Sequence, residues 1–166
     1  MKTYDSSIDT KKHIRRVFDL LMLFVDLIIS RAENHDKSKL NTPEKEIFDI
    51  YTPKLKESTF GSLEYVQFLS EMSVALTHHY ANNRHHPEHF TNGIKDMTLI
   101  DLIEMLADWK AASERHSDGD IHKSIEINSK RFVIDDQLKN ILINTVKYLE
   151  NGAKIENDLF NSLANN

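Results

Sequence analysis

Histidine and carboxylate side chains carry what chemistry this sequence offers. There are nine histidines in 166 residues, and five of them (His78, His79, His85, His86 and His89) fall in one short stretch. His35 and Asp36 are adjacent, and Asp101, Glu104 and Asp108 follow one another at helical spacing. Neutral imidazoles and carboxylates together suit divalent transition ions such as Zn, Fe or Mn rather than calcium. Cysteine is absent, which excludes disulfides and thiolate sites. With no thiolates, an open catalytic ion is a better expectation than a closed structural one. Such an ion acidifies water and polarises a phosphoryl oxygen.

A His-rich stretch is ordinarily a solvated loop. Two features of the surrounding helices argue for more. His13 and His79 each sit on a stripe that is otherwise apolar, and two inward imidazoles on different helices suggest a shared polar centre. The second feature is the helix that opens at Thr98. Leu99, Leu102, Leu106 and Trp109 form one face, and Asp101, Glu104 and Asp108 form another. An acidic stripe on a mostly apolar helix is costly to bury unless its charge is neutralised. Asp101 is also explained as an N-terminal acid favoured by the helix dipole, whereas Asp108 lies too far from the helix start for that.

Apolar residues recur at helical spacing, and only four glycines and three prolines interrupt the chain, so the expected class is all-α, a single domain of about six to seven helices spanning 1–166. A first helix is predicted from about Asp9 to Ala32, with His13, Val17, Leu20, Leu21, Phe24 and Ile28 facing inward. Thr42-Pro43 starts a short helix that ends before Pro53. A long helix over about 62–82 buries Tyr65, Phe68, Leu69, Met72, Leu76 and His79. After an irregular stretch over 83–95, Thr98 begins the acidic helix, with Asp101 in a capping-box-like position. A turn at 117–120 leads to helices over about 120–131 and 136–150, the last closed by Gly152.

The net charge of −5 argues against a nucleic-acid duplex as partner but allows a small phosphorylated ligand held by a few local cations. The most apolar run, Val17 to Ile29, contains Asp19 and Asp26 and is too short for a membrane span. No signal peptide is read, and a cytoplasmic location is expected. The apolar C-terminal helices have two options, this domain or a second copy, which keeps a homodimer open.

The ordered set His13, His35-Asp36, the histidine cluster and Asp108 resembles the HD superfamily of metal-dependent phosphohydrolases. His35-Asp36-Lys37-Ser38-Lys39 is similar to that family's His-Asp-x-Gly-Lys, with Ser in place of Gly, and Leu106 to Lys110 is similar to the segment carrying its final Asp. The resemblance covers roughly residues 10 to 115. It implies that His13, His35, Asp36 and Asp108 hold a first metal, and that the segment Thr77 to His89 supplies further ligands, with His79 and His86 preferred over their doubled neighbours. The Gly-Tyr-Pro signature of cyclic-di-GMP phosphodiesterases is missing. The chain is also similar to a set of uncharacterised bacterial and phage proteins that share the His-His-Pro-Glu-His segment (here His85 to His89) and the segment Ser124 to Phe132. A bacterial cell or a phage-infected host is the matching setting.

The expected activity is hydrolysis of a phosphate ester in a nucleotide or related small molecule, with one or two divalent ions (Mn, Fe, Zn, Co or Ni). Asp36, Lys39 and Glu104 are the catalytic candidates, Glu104 or His89 serving as general acid or base. Lys39, Arg84, His89 and Lys110 are the substrate-contacting candidates, with Lys123 and Arg131 as further available cations. Two other functions compete: a di-iron oxygenase built on the same ligands, and a nucleotide-binding protein that sequesters without catalysis.

Overall fold

The computed structural model describes residues 4–59, 62–115 and 119–164, with side chains described as far as Gly152. All regular structure among them is helical: α1 (Ser7–Asn34), α2 (Glu44–Glu57), α3 (Leu63–Glu71), α4 (Ser73–Asn82), α5 (Leu99–Ser113), α6 (Ile121–Arg131) and α7 (Asp136–Ala164), with three short 3₁₀ turns at Lys37–Leu40, Pro87–His89 and Gly93–Asp96. The expected all-α class is the class observed. No helix among the described residues is long and apolar enough to cross a membrane. The chain divides into two compact units, the first comprising residues 1–89 and 97–104 and the second 90–96 and 105–166.

In the first unit α2, α3 and α4 pack on one another, and α2 and α4 also contact the 3₁₀ turn at Lys37–Leu40. Its buried apolar residues are few, namely Met72, Ala75, Pro87 and Ile100. Beside them Glu44, His79, Asn83, His85 and Asp101 are equally buried. Buried polar groups carry a desolvation cost that has to be offset by hydrogen bonds or opposite charge, so this interior is organised by polar contacts. The second unit is conventional: Met105, Leu106, Ile121, Ile125, Ile134, Leu142 and Val146 form an apolar core, and α6 packs on α7.

Several helix boundaries differ from the expectation. The helix opened by Thr42-Pro43 does not stop before Pro53 but runs on to Glu57. Pro53 removes one main-chain hydrogen bond there, which an exposed helix end tolerates. The long helix expected over 62–82 is broken at Met72, whose φ/ψ of −83°/2° leaves the α region. Its inner stripe is nevertheless the one expected, since Met72 and His79 are buried and Tyr65, Phe68, Leu69 and Leu76 partly so. Gly152 does not close the last helix, which continues through it to Ala164. The turn expected at 117–120 lies in part outside the described residues.

The largest departure is α1. It is as long as expected, but it buries no residue, and Val17, Leu20, Leu21 and Phe24 of the expected inner stripe are exposed. Periodicity identifies an apolar face without identifying what covers it. Within the first unit α1 is tied down at its C-terminal end, where Arg31 reaches Asp101 and Glu104.

Candidate metal centre

The centre begins where α1 ends. His35 is the C-cap residue, with φ/ψ of −51°/126°, and Asp36 follows in the left-handed region at φ 56°. Asp is among the few non-glycine residues that adopt this conformation at low cost. The break has a consequence for the site. Neighbours on a helix diverge by about 100°, whereas this turn lets both His35 and Asp36 face one centre. The 3₁₀ turn then brings Lys39 back, and its Nζ donates to Asp36 Oδ2 at 2.6 Å.

Three further imidazoles meet Asp36. His79, on the inner stripe of α4, places Nε2 3.4 Å from Asp36 Oδ1, and His85 places Nε2 3.5 Å from the same oxygen. His86 Nε2 is 2.8 Å from His79 Nε2. His35 Nε2 is 3.6 Å from Asp36 Oδ2. Asp36, His79, His85 and His86 each offer a ligand atom, and these atoms lie within 4.8 Å of one another. His35, His85 and Glu104 form a second such group. Asp36 Oδ1 and both ring nitrogens of His85 are buried without an aligned hydrogen bond. Groups of this kind in an interior carry the full desolvation cost. Orphaned carboxylate and imidazole atoms converging on one point are what a cation would satisfy, so the residues present fit a divalent transition ion.

The far sides of the same rings are held by carboxylates. Glu44, the first residue of α2 and fully buried, lies 2.8 Å from His79 Nδ1 and 2.7 Å from His78 Nδ1, and it accepts from Ser38 Oγ at 3.0 Å. Asn83 Nδ2 donates to Ser38 Oγ at 2.7 Å and to the His79 carbonyl at 2.8 Å. Glu104 on α5 lies 3.0 Å from His35 Nδ1 and 3.1 Å from His85 Nδ1, the latter poorly aligned, and accepts from Arg31 Nη1 at 3.1 Å. Behind Glu104, Asp101 accepts from Arg31, from Arg84 and from both the backbone and hydroxyl of Thr98. The expected capping box is therefore formed, with Asp101 closing it through Thr98 Oγ1.

The electrostatics follow from these contacts. Burial pushes the Glu104 carboxyl up, but bonds to His35 and His85 and the charges of His85 and Arg31 outweigh it and bring the value from the ordinary 4.5 to about 2. Burial likewise opposes ionisation of Asp36, and Lys39 more than compensates, so Asp36 titrates below its usual range. His79 is pushed down, mainly by burial and then by the nearby Lys39, despite the opposing pull of Asp36 and Glu44. A low pKa keeps its ring neutral, the form that binds metal.

A pH dependence of stability follows. Glu104 binds a proton more weakly in the folded chain than in the unfolded one, so its contribution is present above the unfolded pKa and is lost as pH falls toward 2. The size is on the order of 3 kcal/mol. His79, also lowered, removes stability in the same direction from nearer neutrality. Melting of chelator-treated protein between pH 7 and pH 3 is therefore expected to show a steadily falling midpoint. A midpoint unchanged down to pH 3 would contradict these shifts.

Of the residues named from the sequence, His35, Asp36, His79, His86 and Lys39 are brought together. His13 is not. It stands 22 residues before His35 on one unbroken helix, an axial separation of about 33 Å, and cannot share an ion with the cluster of its own chain. Asp108 belongs to the second unit; by helix register it continues the face of Glu104. Glu104 held near pKa 2 has no proton to give as a general acid at neutral pH, and it is far less basic than a general base matched to that pH. Arg84 was expected at substrate phosphate, yet it grips Asp101 through Nε and Nη2. Lys110 is paired with Glu114 at 2.9 Å and Glu150 at 3.7 Å. His89 donates Nδ1 to the Tyr80 carbonyl at 2.8 Å, which secures the loop after α4.

Sequence reasoning did not identify Glu44, Asn83, Arg31 or Ser38. Arg31 left a signal, standing four residues before His35 and hence on its helix face. Glu44 left none, since an acid in a first helical turn reads as an ordinary dipole partner. The doubled pair His85-His86 is not a choice between ligands, since both members belong to the cluster.

A family model described as "Family of unknown function (DUF5662)" matches residues 2–148, which include every residue of the centre. No curated protein and no solved structure matches the chain.

Proposed function

The chain belongs to the DUF5662 family, and we propose that it is a metal-dependent phosphohydrolase acting on a nucleotide or related small phosphate ester. The observation that carries this reading is the meeting of His79, His85 and His86 at Asp36, with Asp36 Oδ1 and the His85 nitrogens buried and unsatisfied. A divalent ion held there supplies a Lewis acid that acidifies water and polarises a phosphoryl oxygen. Lys39 orients Asp36.

Charge balance supports an anionic substrate. Asp36, Glu44, Asp101 and Glu104 bring four negative charges, against three positive charges on Arg31, Lys39 and Arg84. The balance of minus one becomes plus one with a divalent ion, while all three cations remain engaged with carboxylates. Attraction for a phosphate would then come from the ion-loaded centre as a whole rather than from a free arginine or lysine.

The test is to load the protein with Mn, Fe, Zn, Co or Ni and assay phosphate release from a panel of nucleotides and simple phosphate mono- and diesters. Turnover that vanishes with chelator is expected. Substrate-dependent oxygen uptake by the iron form would point instead to an oxygenase, and nucleotide recovered intact from a stabilised complex would point to sequestration.

Chelation is also expected to lower stability. A ligand present at 1,000 times its dissociation constant stabilises by about 4 kcal/mol, and in a chain of this size each kcal/mol moves the melting midpoint by roughly 2–4 °C. Removing a tightly bound ion should therefore lower the midpoint by roughly 10 °C. Identical melting curves with and without chelator, for protein shown to carry metal beforehand, would contradict a contribution of that size.

A further inference from the structure

We infer that Glu44 and Glu104 are the positioning residues of this centre, Glu44 accepting the Nδ1–H of His79 and Glu104 that of His35, and so turning their Nε2 lone pairs toward Asp36. The inference rests on the metal-centre reading above and adds to it a mechanism by which this chain prepares its own ligands.

The geometry has two sides. Toward Asp36, the nitrogen presented by His35, by His79 and by His85 is Nε2 in every case. Toward the glutamates, the nitrogen presented is Nδ1 in every case, His79 and His78 to Glu44 and His35 and His85 to Glu104. An ionised carboxylate can only accept, and a neutral imidazole carries a single N–H. Both nitrogens of these rings face a carboxylate, but Nδ1 of His79 and of His35 stands 2.8 and 3.0 Å from its glutamate whereas Nε2 stands 3.4 and 3.6 Å from Asp36, so the hydrogen lies on the glutamate side and Nε2 is left as the lone pair. Two glutamates on two different helices impose this same sense on His35 and His79, which flank one aspartate. Hydrogen-bonded carboxylates that orient metal-binding histidines fix ring position and raise ligand basicity.

Each glutamate is itself held. Glu44 is fully buried, and its oxygens are occupied by His78, His79 and Ser38, with Asn83 bracing Ser38 from behind. Glu104 is held by Arg31, which is anchored at its other nitrogen on Asp101. Neither carboxylate has the freedom expected of a group that meets substrate. The arrangement also separates the members of the first doubled pair: His79 is buried and turned to Asp36, while the more exposed His78 spends its Nδ1 on Glu44.

The test uses the full chain and zinc alone. Nitrogen-15 spectra of the metal-free protein at neutral pH should show the His35 and His79 rings protonated at Nδ1 and unprotonated at Nε2. Zinc titration of Glu44→Gln and Glu104→Gln should show affinity about 10- to 100-fold weaker than the parent chain, with an altered visible spectrum when cobalt replaces zinc. Rings protonated at Nε2, or parental zinc affinity in both variants, would overturn the inference. Because the tautomers are read without metal, the inference is decided even if a glutamine variant fails to fold. A parent chain with correct tautomers that takes up no zinc would overturn the metal-centre reading while leaving the positioning role standing.

Discussion

Replacing Asp36 with alanine is expected to strip the bound metal and abolish turnover while the helices remain folded. Three imidazoles and a lysine are arranged about this one carboxylate: His79 and His85 face its Oδ1, and His35 and Lys39 face its Oδ2. Alanine removes both oxygens together and leaves Nε2 atoms with no shared acid. Loss of a ligand from a catalytic ion removes both the Lewis acid and the alignment of what it binds, and several orders of magnitude in rate are at stake. Circular dichroism should be little changed, because Asp36 lies in the turn after α1 and supports no helix through its side chain. Metal content and phosphate release measured on one preparation check the expectation. An Asp36→Ala protein with full metal content and full turnover would show that the chemistry lies elsewhere.

The second large effect falls on stability. Asp101→Ala is expected to destabilise the fold by roughly 3 kcal/mol, at the low end for a broken buried ion pair. Asp101 is fully buried and accepts from Arg31 at 2.6 Å, from Arg84 at 3.1 and 3.0 Å, and from Thr98 at 2.9 and 2.8 Å. Its removal undoes the cap of α5 and takes away the carboxylate that Arg31 and Arg84 share. The low end applies because both arginines retain some exposure and can recover water. Denaturant unfolding of the metal-free protein reads the difference directly, and a loss below about 1 kcal/mol would show that the pair is worth no more than a surface salt bridge. Since Arg31 also holds Glu104, weakened zinc binding should accompany the loss.

Asp101 and Glu104 show what the sequence made legible. Carboxylates on a mostly apolar helix are costly to bury without a partner, and Asp101 and Glu104 are both buried or nearly so. The groups that meet Asp101 are arginines, however, and those that meet Glu104 are an arginine and histidines. Carboxylates at helical spacing reveal that a partner is needed without revealing its type. The same limit applies to Arg84 and Lys110, which sequence position alone made available to phosphate and which the structure commits to carboxylates.

Local patterns were most informative where one element sufficed to express them. The inner stripe of α4, the cap at Thr98 and the break in the helix around His35-Asp36 depend on neighbouring residues only. His13 is the counterexample. Its place on an apolar stripe suggested an inward ligand, but helix rise sets its distance from His35, and the stripe itself remains exposed. Glu44 could not have been found this way, because its role depends on α2 packing against α4, a long-range contact that an acid in a first turn does not announce.

The most direct measurement of the central claim is elemental analysis of the purified chain before and after exposure to excess zinc or manganese, followed by removal of loosely bound ions. The account predicts at least one divalent transition ion retained per chain, and lost again when Asp36 or His79 is replaced by alanine. A chain that retains no ion under either condition, or one whose retained ion survives both substitutions, would contradict it.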